Sequence, residues 1–178
     1  MPDFPENTFK YCPKCGSETF QKFGKNKLEC QKCGFTFYVN TCGATSVFIF
    51  NQNGEILLGR RTKNPQKGLF VVPGGMIDFD ETAEEGAIRE TWEEVKLKIT
   101  KLKYLTSLAT KYEFKDIIYH IIDLYFIGTV EDYSTLQPTD ETDELIWLKP
   151  EEIPDEIIAT DSLRRALKMF KTCNLLNI

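Results

Sequence analysis

Short strand-like patterns of apolar residues, bounded by turn residues, recur along this chain, and a helical period appears along only two stretches. Thr45 to Phe50 reads as a strand, Asn51-Gln52-Asn53-Gly54 as a turn and Glu55 to Arg60 as a second strand, so this pair is expected to form a hairpin. Residues 62–68 make a polar loop containing Pro65 and Gly68, and Leu69-Phe70-Val71-Val72 is a short strand stopped by Pro73-Gly74-Gly75. A helical pattern runs from about Thr82 to Val95. Long strand patterns follow near 99–112 and 117–130, then an acidic loop at 139–144, a last strand at Leu145–Leu148 and a terminal helix over about 161–172. Strands mixed with helices predict the α/β class, with a mixed β-sheet between helical layers.

The first forty residues follow another logic. Cys12-Pro13-Lys14-Cys15-Gly16 and Cys30-Gln31-Lys32-Cys33-Gly34 are two CxxCG knuckles separated by fourteen residues, flanked by short strand patterns at Thr19–Phe23 and Phe35–Val39. Each pair can wrap one side of a tetrahedral ion, and the trailing glycine permits the turn that aims both sulfurs inward. The spacing resembles a zinc ribbon, expected over residues 1–40. Four thiolates close the shell around Zn²⁺ and leave no position for substrate, so Cys12, Cys15, Cys30 and Cys33 are expected to be structural ligands. Cys42 and Cys173 read as ordinary buried or half-buried thiols.

Composition narrows the function. Of 178 residues, 42% are apolar, which places the chain among folded proteins, and 22 basic against 27 acidic residues leave a net charge of −5. That charge disfavours a long nucleic acid but admits a small phosphorylated substrate if metal ions supply positive charge. Residues 1–40 hold six lysines against four acids, read as a solvated face rather than a nucleic-acid surface. The N-terminus lacks the pattern of a signal peptide, and the apolar stretch 117–130 is broken by His120 and Asp123, so a cytoplasmic protein with no membrane partner is expected. His120, the sole histidine, reads as a half-buried strand residue rather than a catalyst.

The helix holds the candidate chemistry. Thr82 followed by Glu85 forms a capping box. At 100° per residue Ile88, Trp92 and Val95 share one face, expected to be buried, while Glu90, Glu93 and Glu94 stand opposite with Gly86 and Ala83 beside them, leaving an open approach. Hard oxygens on a rigid element suit Mg²⁺ or Mn²⁺. Spacing alone equally describes a solvated acidic face.

Reading outward, Gly75, five residues, Glu81, seven residues and then Arg89-Glu90-Thr91-Trp92-Glu93-Glu94-Val95-Lys96-Leu97 resembles the Nudix box, G-x5-E-x7-R-E-U-x-E-E-x-G-U. Thr91 departs from the bulky apolar position, read as a small packing change on the helix flank, and Lys96 from the turn glycine. Leu57 to Arg61, Gly68 to Gly75 and Glu141 to Trp147 extend the resemblance. It implies a Nudix-type α/β/α sandwich over 41–178, behind the ribbon.

The resemblance also implies roles. Glu93 and Glu94 are expected as metal ligands, Glu90 as a ligand or the group orienting water, Arg89 as a partner fixing a carboxylate, and Glu81 as an aid from the loop. The Gly74-Gly75 backbone, Arg60 and Tyr112 are substrate-binding candidates. Glu141 is the first and Glu144 the second candidate for a general base outside the box. The implied reaction is metal-dependent hydrolysis of a pyrophosphate bond in a nucleoside diphosphate linked to another group, in a substrate like NADH, ADP-ribose or a dinucleotide. A nucleoside triphosphate pyrophosphatase and a non-catalytic nucleotide-sensing or RNA-binding module are the alternatives, and a homodimer is implied by resemblance alone. A ribbon before a Nudix domain resembles the NADH pyrophosphatase group. Of that group's Ser-Gln-Pro-Trp-Pro-Phe-Pro stretch, only the serine survives in Ser107-Leu108-Ala109-Thr110-Lys111-Tyr112-Glu113, so its substrate is not carried across.

Overall fold

The computed structural model describes residues 3–18 and 20–173, with side chains to Phe170; Thr19 of the first strand pattern and the thiol of Cys173 lie outside the described residues. The chain divides into two compact units, Met1–Cys42 with Lys111–Ile121, and Gly43–Thr110 with Ile122–Ile178.

The first unit opens with a single helical turn, α1 (Pro5–Thr8), followed by β1 (Phe20–Phe23), β2 (Lys27–Cys30) and β3 (Thr36–Tyr38) in an antiparallel sheet ordered β1-β2-β3. Strand β2 went unanticipated because Leu28 is flanked by Lys27 and Glu29, too little apolar pattern to register. The core consists of Cys12, Phe20, Leu28 and Cys30, with Phe35 and Val39 against them. A core this small cannot offset chain entropy without a metal or another clamp. His120, partly buried as expected, stacks on Phe4 with ring centroids 4.8 Å apart and lies 3.8 Å from Glu6 Oε1.

The second unit contains β4 (Cys42–Ile49), β5 (Ile56–Arg61), β6 (Phe70–Val71), α2 (Ala83–Val95), β7 (Ile99–Phe114), β8 (Ile117–Val130), β9 (Thr142–Leu148) and α3 (Asp161–Cys173), the tips of β7 and β8 counting with the first unit. The strands form two sheets ordered β4-β8-β7 and β6-β5-β9. The expected β4–β5 hairpin is therefore corrected: the two strands belong to different sheets and meet only at the Phe50–Ile56 bridge. Ile56, Leu57 and Leu58 are all fully buried, so β5 has both faces covered, and an alternation reading cannot choose its neighbour.

Alternate side chains sort onto two helices. Val47, Ile49, Leu57 and Phe126 pack with Ala87 and Val95 of α2, whereas Phe48, Ile56, Leu58 and Tyr125 pack with Leu163, Ala166, Leu167 and Phe170 of α3. One helix covers each side, which is the α/β/α sandwich expected. No helix among the described residues is long and apolar enough to cross a membrane.

The expected buried face of α2 is corrected as well. Ile88 and Trp92 are 43% and 49% exposed, and the buried positions are Gly86, Ala87, Thr91, Glu94 and Val95. Small side chains bring the helix close to the strands, and Trp92 instead lies under Lys96 Nζ, 5.8 Å from its ring centre. Thr91 is not on a flank: it is fully buried, with its hydroxyl donated to the Ala87 carbonyl at 2.7 Å.

Candidate functional site

Helix α2 begins at its capping box, with the Glu85 N–H donating to Thr82 Oγ1 at 3.2 Å and the Thr82 N–H donating to Glu85 Oε2 at 2.8 Å. It ends at Lys96, which takes the left-handed conformation (φ 57°) that glycine would adopt without strain. Those two ends set the phase of Arg89, Glu90, Glu93 and Glu94.

Arg89 is the hub of the cluster. Its Nε and Nη2 donate to the two oxygens of Glu81 at 2.8 Å each, and Nη1 donates to Glu90 at 2.8 Å and Glu93 at 3.2 Å. Nη2 also donates to the Met76 carbonyl at 3.0 Å. Glu81 is thus occupied with orienting Arg89, whose hydrogen bonds hold its carboxyl down at about 2. Gly86 serves the same pair rather than opening a path for ligand: a Cβ there would stand 3.0 Å from a Glu81 oxygen.

Glu94 is buried, and its Oε2 accepts the Gly74 N–H at 2.9 Å. Burial pushes its carboxyl up to about 8. The loop that supplies this amide is fastened to β4 by Thr45 N–H to the Gly75 carbonyl and Val47 N–H to the Pro73 carbonyl, both 2.8 Å. Gly74 is sterically required, since a Cβ there would lie 2.0 Å from the Thr45 carbonyl oxygen, whereas a Cβ on Gly75 would lie 2.5 Å from the Glu90 carboxylate and displace that side chain. Burial also raises Glu90, against the opposing pull of Arg89. Negative charge on Glu141 adds to the upward shift of both Glu90 and Glu94, so these three carboxylates share one field. Glu93 is the exposed member of the helix set.

The remaining candidates are placed as follows. Glu141 Oε1 accepts from Lys63 Nζ at 2.7 Å. Arg60 pairs with Asp143 and Glu144, each at 2.8 Å, which engages the substrate candidate and the second base candidate with each other. Tyr112 belongs to the first unit and stacks on Phe114, with centroids 6.3 Å apart. Sequence reasoning passed over Lys63 and Thr45. Lys63 sits in a loop with no local signal, and the buried Thr45 hydroxyl, without a hydrogen-bond partner among the described residues, gains meaning only from the glycine loop against its backbone.

The cysteines form a separate centre. Cys12 and Cys33 sulfurs lie 3.8 Å apart, Cys15 and Cys30 sulfurs 3.6 Å, and all four fall within 4.8 Å of one another. A tetrahedral ion with metal–sulfur bonds of about 2.3 Å needs sulfurs about 3.8 Å apart, so the set fits one ion. Gly16 and Gly34, at φ 69° and 70°, donate to the Cys12 and Cys30 carbonyls and close the two knuckles.

A capping box, a glycine loop locked against glutamates and an arginine tying three of the acids together define a Nudix-type site on a Nudix-type sandwich. The chain belongs to the Nudix family: the family model for the NUDIX domain matches residues 41–169. Among its relatives, the "NAD-capped RNA hydrolase NudC" of Haemophilus influenzae (strain PittGG) is 28% identical over 165 residues, covering 90% of this chain. This chain spans 59% of that protein's length. The "ADP-ribose pyrophosphatase" of Methanocaldococcus jannaschii is 39% identical over 79 residues, 44% of this chain and 46% of that protein. A crystal structure of a NUDIX hydrolase from Nitrosomonas europaea shares the fold with a TM-score of 0.66 at 23% identity, covering 93% of this chain and 94% of that one. Divalent-metal dependence goes with the family.

Proposed function

We propose that this protein is a cytosolic pyrophosphohydrolase that cleaves a nucleoside diphosphate linked to another group, with a zinc ribbon at residues 1–40 and the hydrolase domain at 41–178. The observation that carries the reading is the Gly74–Gly75 loop, which presents its backbone beside the carboxylates of Glu90 and Glu94, with no room for a side chain at Gly74 and the Glu90 carboxylate filling the space above Gly75. NAD-capped RNA and ADP-ribose, named for the two relatives above, both contain an adenosine joined to a second ribose through a pyrophosphate, and that shared chemistry supports this substrate class.

Glu90, Glu93 and Glu94 offer hard oxygens that fit Mg²⁺, and the four cysteines fit Zn²⁺. Bound Mg²⁺ would neutralise the pyrophosphate oxygens and acidify a water. Arg89 holds Glu90 and Glu93 in position, and Glu81 holds Arg89. Glu141 accepts a proton from the attacking water as a new bond to phosphorus forms. The bridging P–O bond breaks, and its electron pair leaves with the second phosphate. Lys63 and Arg60, on the loop and strand facing the acidic segment, supply positive charge near the substrate's phosphates once their own carboxylate partners yield. A homodimer belongs to this reading through family resemblance, and sedimentation checks it.

The test is turnover of NADH, ADP-ribose, a dinucleoside polyphosphate and a nucleoside triphosphate with Mg²⁺. Preference for the linked diphosphates is expected. Preference for the triphosphate would move the assignment to a triphosphate pyrophosphatase, and silence on all four would leave a binding module. Full activity in Glu93→Gln and Glu94→Gln would sink the site assignment.

A further inference from the structure

The final carbonyls of an α-helix have no donors within the helix. At the end of α2 those donors come from the acidic loop. The Glu94 carbonyl accepts two hydroxyls, Thr139 Oγ1 at 3.1 Å and Thr142 Oγ1 at 3.2 Å, which together use both of its lone pairs. The Val95 carbonyl accepts the Gln137 N–H at 3.4 Å, and the Lys96 carbonyl accepts the Thr135 hydroxyl at 2.6 Å. Helix end and loop are thereby joined through three successive carbonyls.

Glu141 lies between the two threonines. A Thr139 N–H to Thr142 carbonyl bond of 3.0 Å closes the turn around it, its own N–H reaches Thr139 Oγ1 at 3.4 Å, and its carbonyl accepts the Thr62 N–H at 3.1 Å. Thr142 is buried, and its methyl lies 2.8 Å from where a Cβ on Gly59 would be. Strand β9 also carries an irregularity here: Arg60 pairs with Glu144 but Arg61 with Thr142, so Asp143 is an extra residue. Such bulges bend a strand and re-aim its side chains.

We propose that Thr139 and Thr142 are positioning residues which, by donating both hydroxyls to the Glu94 carbonyl, hold Glu141 at its working place beside the carboxylates of α2. This rests on the reading of Glu141 as the base. The helix that carries Glu90, Glu93 and Glu94 and the loop that carries Glu141 then share one peptide group as their reference point. Thr62 completes the frame, donating its hydroxyl to the Asp140 carbonyl at 2.6 Å.

The test uses the full chain, Mg²⁺ and whichever substrate of the four above is turned over best. Thr139→Val and Thr142→Val remove each donor at nearly constant shape, and the Ser variants restore it. A displacement of about 1 Å at a catalytic group costs about 10²-fold in rate, so the double Val variant should lose about that much in kcat, with KM within about twofold. Each Ser variant should recover most of the loss, and in a Glu141→Gln background the Val changes should cost nothing further. Unchanged kcat in the double Val variant, with Glu141→Gln inactive, overturns the positioning role and leaves the base assignment standing. Full activity in Glu141→Gln overturns the base assignment, and with it any action of the threonines through Glu141. Silence on all four substrates overturns both. If Thr142→Val fails to fold, Thr139→Val at the more accessible site decides by the same kcat, KM and serine-rescue criteria.

Discussion

The two candidate metal centres are built on opposite principles. In the first unit the four sulfurs already stand at the mutual distances one ion requires, on knuckles closed by their own backbone bonds. In the second unit the carboxylates are assembled around Arg89, with Glu81, Glu90 and Glu93 all accepting from its guanidinium while Glu94 is buried against an amide. A closed thiolate shell has nothing left to offer a substrate, so its value lies in folding energy. On the reading proposed above, the carboxylates balanced by an internal cation are the ones that exchange metal and substrate, with Glu93 as their exposed member. On that reading, the difference teaches that preorganised ligands suit a structural ion and charge-compensated ones a working ion.

The largest effect should come from breaking the first centre. Cys12→Ser or Cys30→Ser should abolish binding of one zinc per chain and unfold the first unit, because structural zinc contributes about 10 kcal/mol or more to folding of such modules; metal analysis and limited proteolysis read both. The second centre should respond in turnover instead. Glu93→Gln and Glu94→Gln should each lower kcat by about 10²-fold or more while the thermal midpoint changes little. If either change unfolds the unit as the cysteine changes do, the contrast between the centres fails.

Arg89→Ala should combine both signatures at smaller size. It strips hydrogen bonds from Glu81, Glu90 and Glu93, and an expected loss of about 2 kcal/mol should accompany reduced turnover. Thermal melting with parallel kinetics checks it. The same pair sets a pH response. Glu81 is held at about 2, below its ordinary 4.5, so its contribution is fully present above about 4.5 and disappears as pH falls towards about 2. Glu81→Gln should flatten that part of the stability profile in acid titrations. The smallest effect belongs to Lys96→Gly, which relieves a left-handed residue and should raise the melting temperature by about 2–4 °C.

Sequence revealed the parts of the site governed by local rules. The capping box fixed where α2 starts, and the offsets from Gly75 to Leu97 placed the acids on the right element. The knuckle spacing identified the cysteine centre. What stayed illegible depends on partners distant in the chain. Nothing near Ile88 and Trp92 shows that Ala87 and Thr91 face the strands instead, because a helix with apolar residues on more than one side has no unique buried face until its neighbours are known. Lys63 could not be matched with Glu141 across 78 residues. The β4–β5 turn was correctly located, yet both strands chose other partners, since strands buried on both faces lack the alternation that would pair them.

On the proposed role of Glu141, the extra residue at Asp143 makes chain length part of how that carboxylate is placed. Exchanging its side chain would leave the backbone path intact, releasing only an exposed ion pair with Arg60. Removing its peptide would regularise the ladder, pull Thr142 one step along the strand and drag Glu141 by about 3.3 Å, the rise of one strand residue. Substitution is therefore cheap at Asp143 and deletion is not, so this one position should tolerate drift in side chain while remaining intolerant of any change in count.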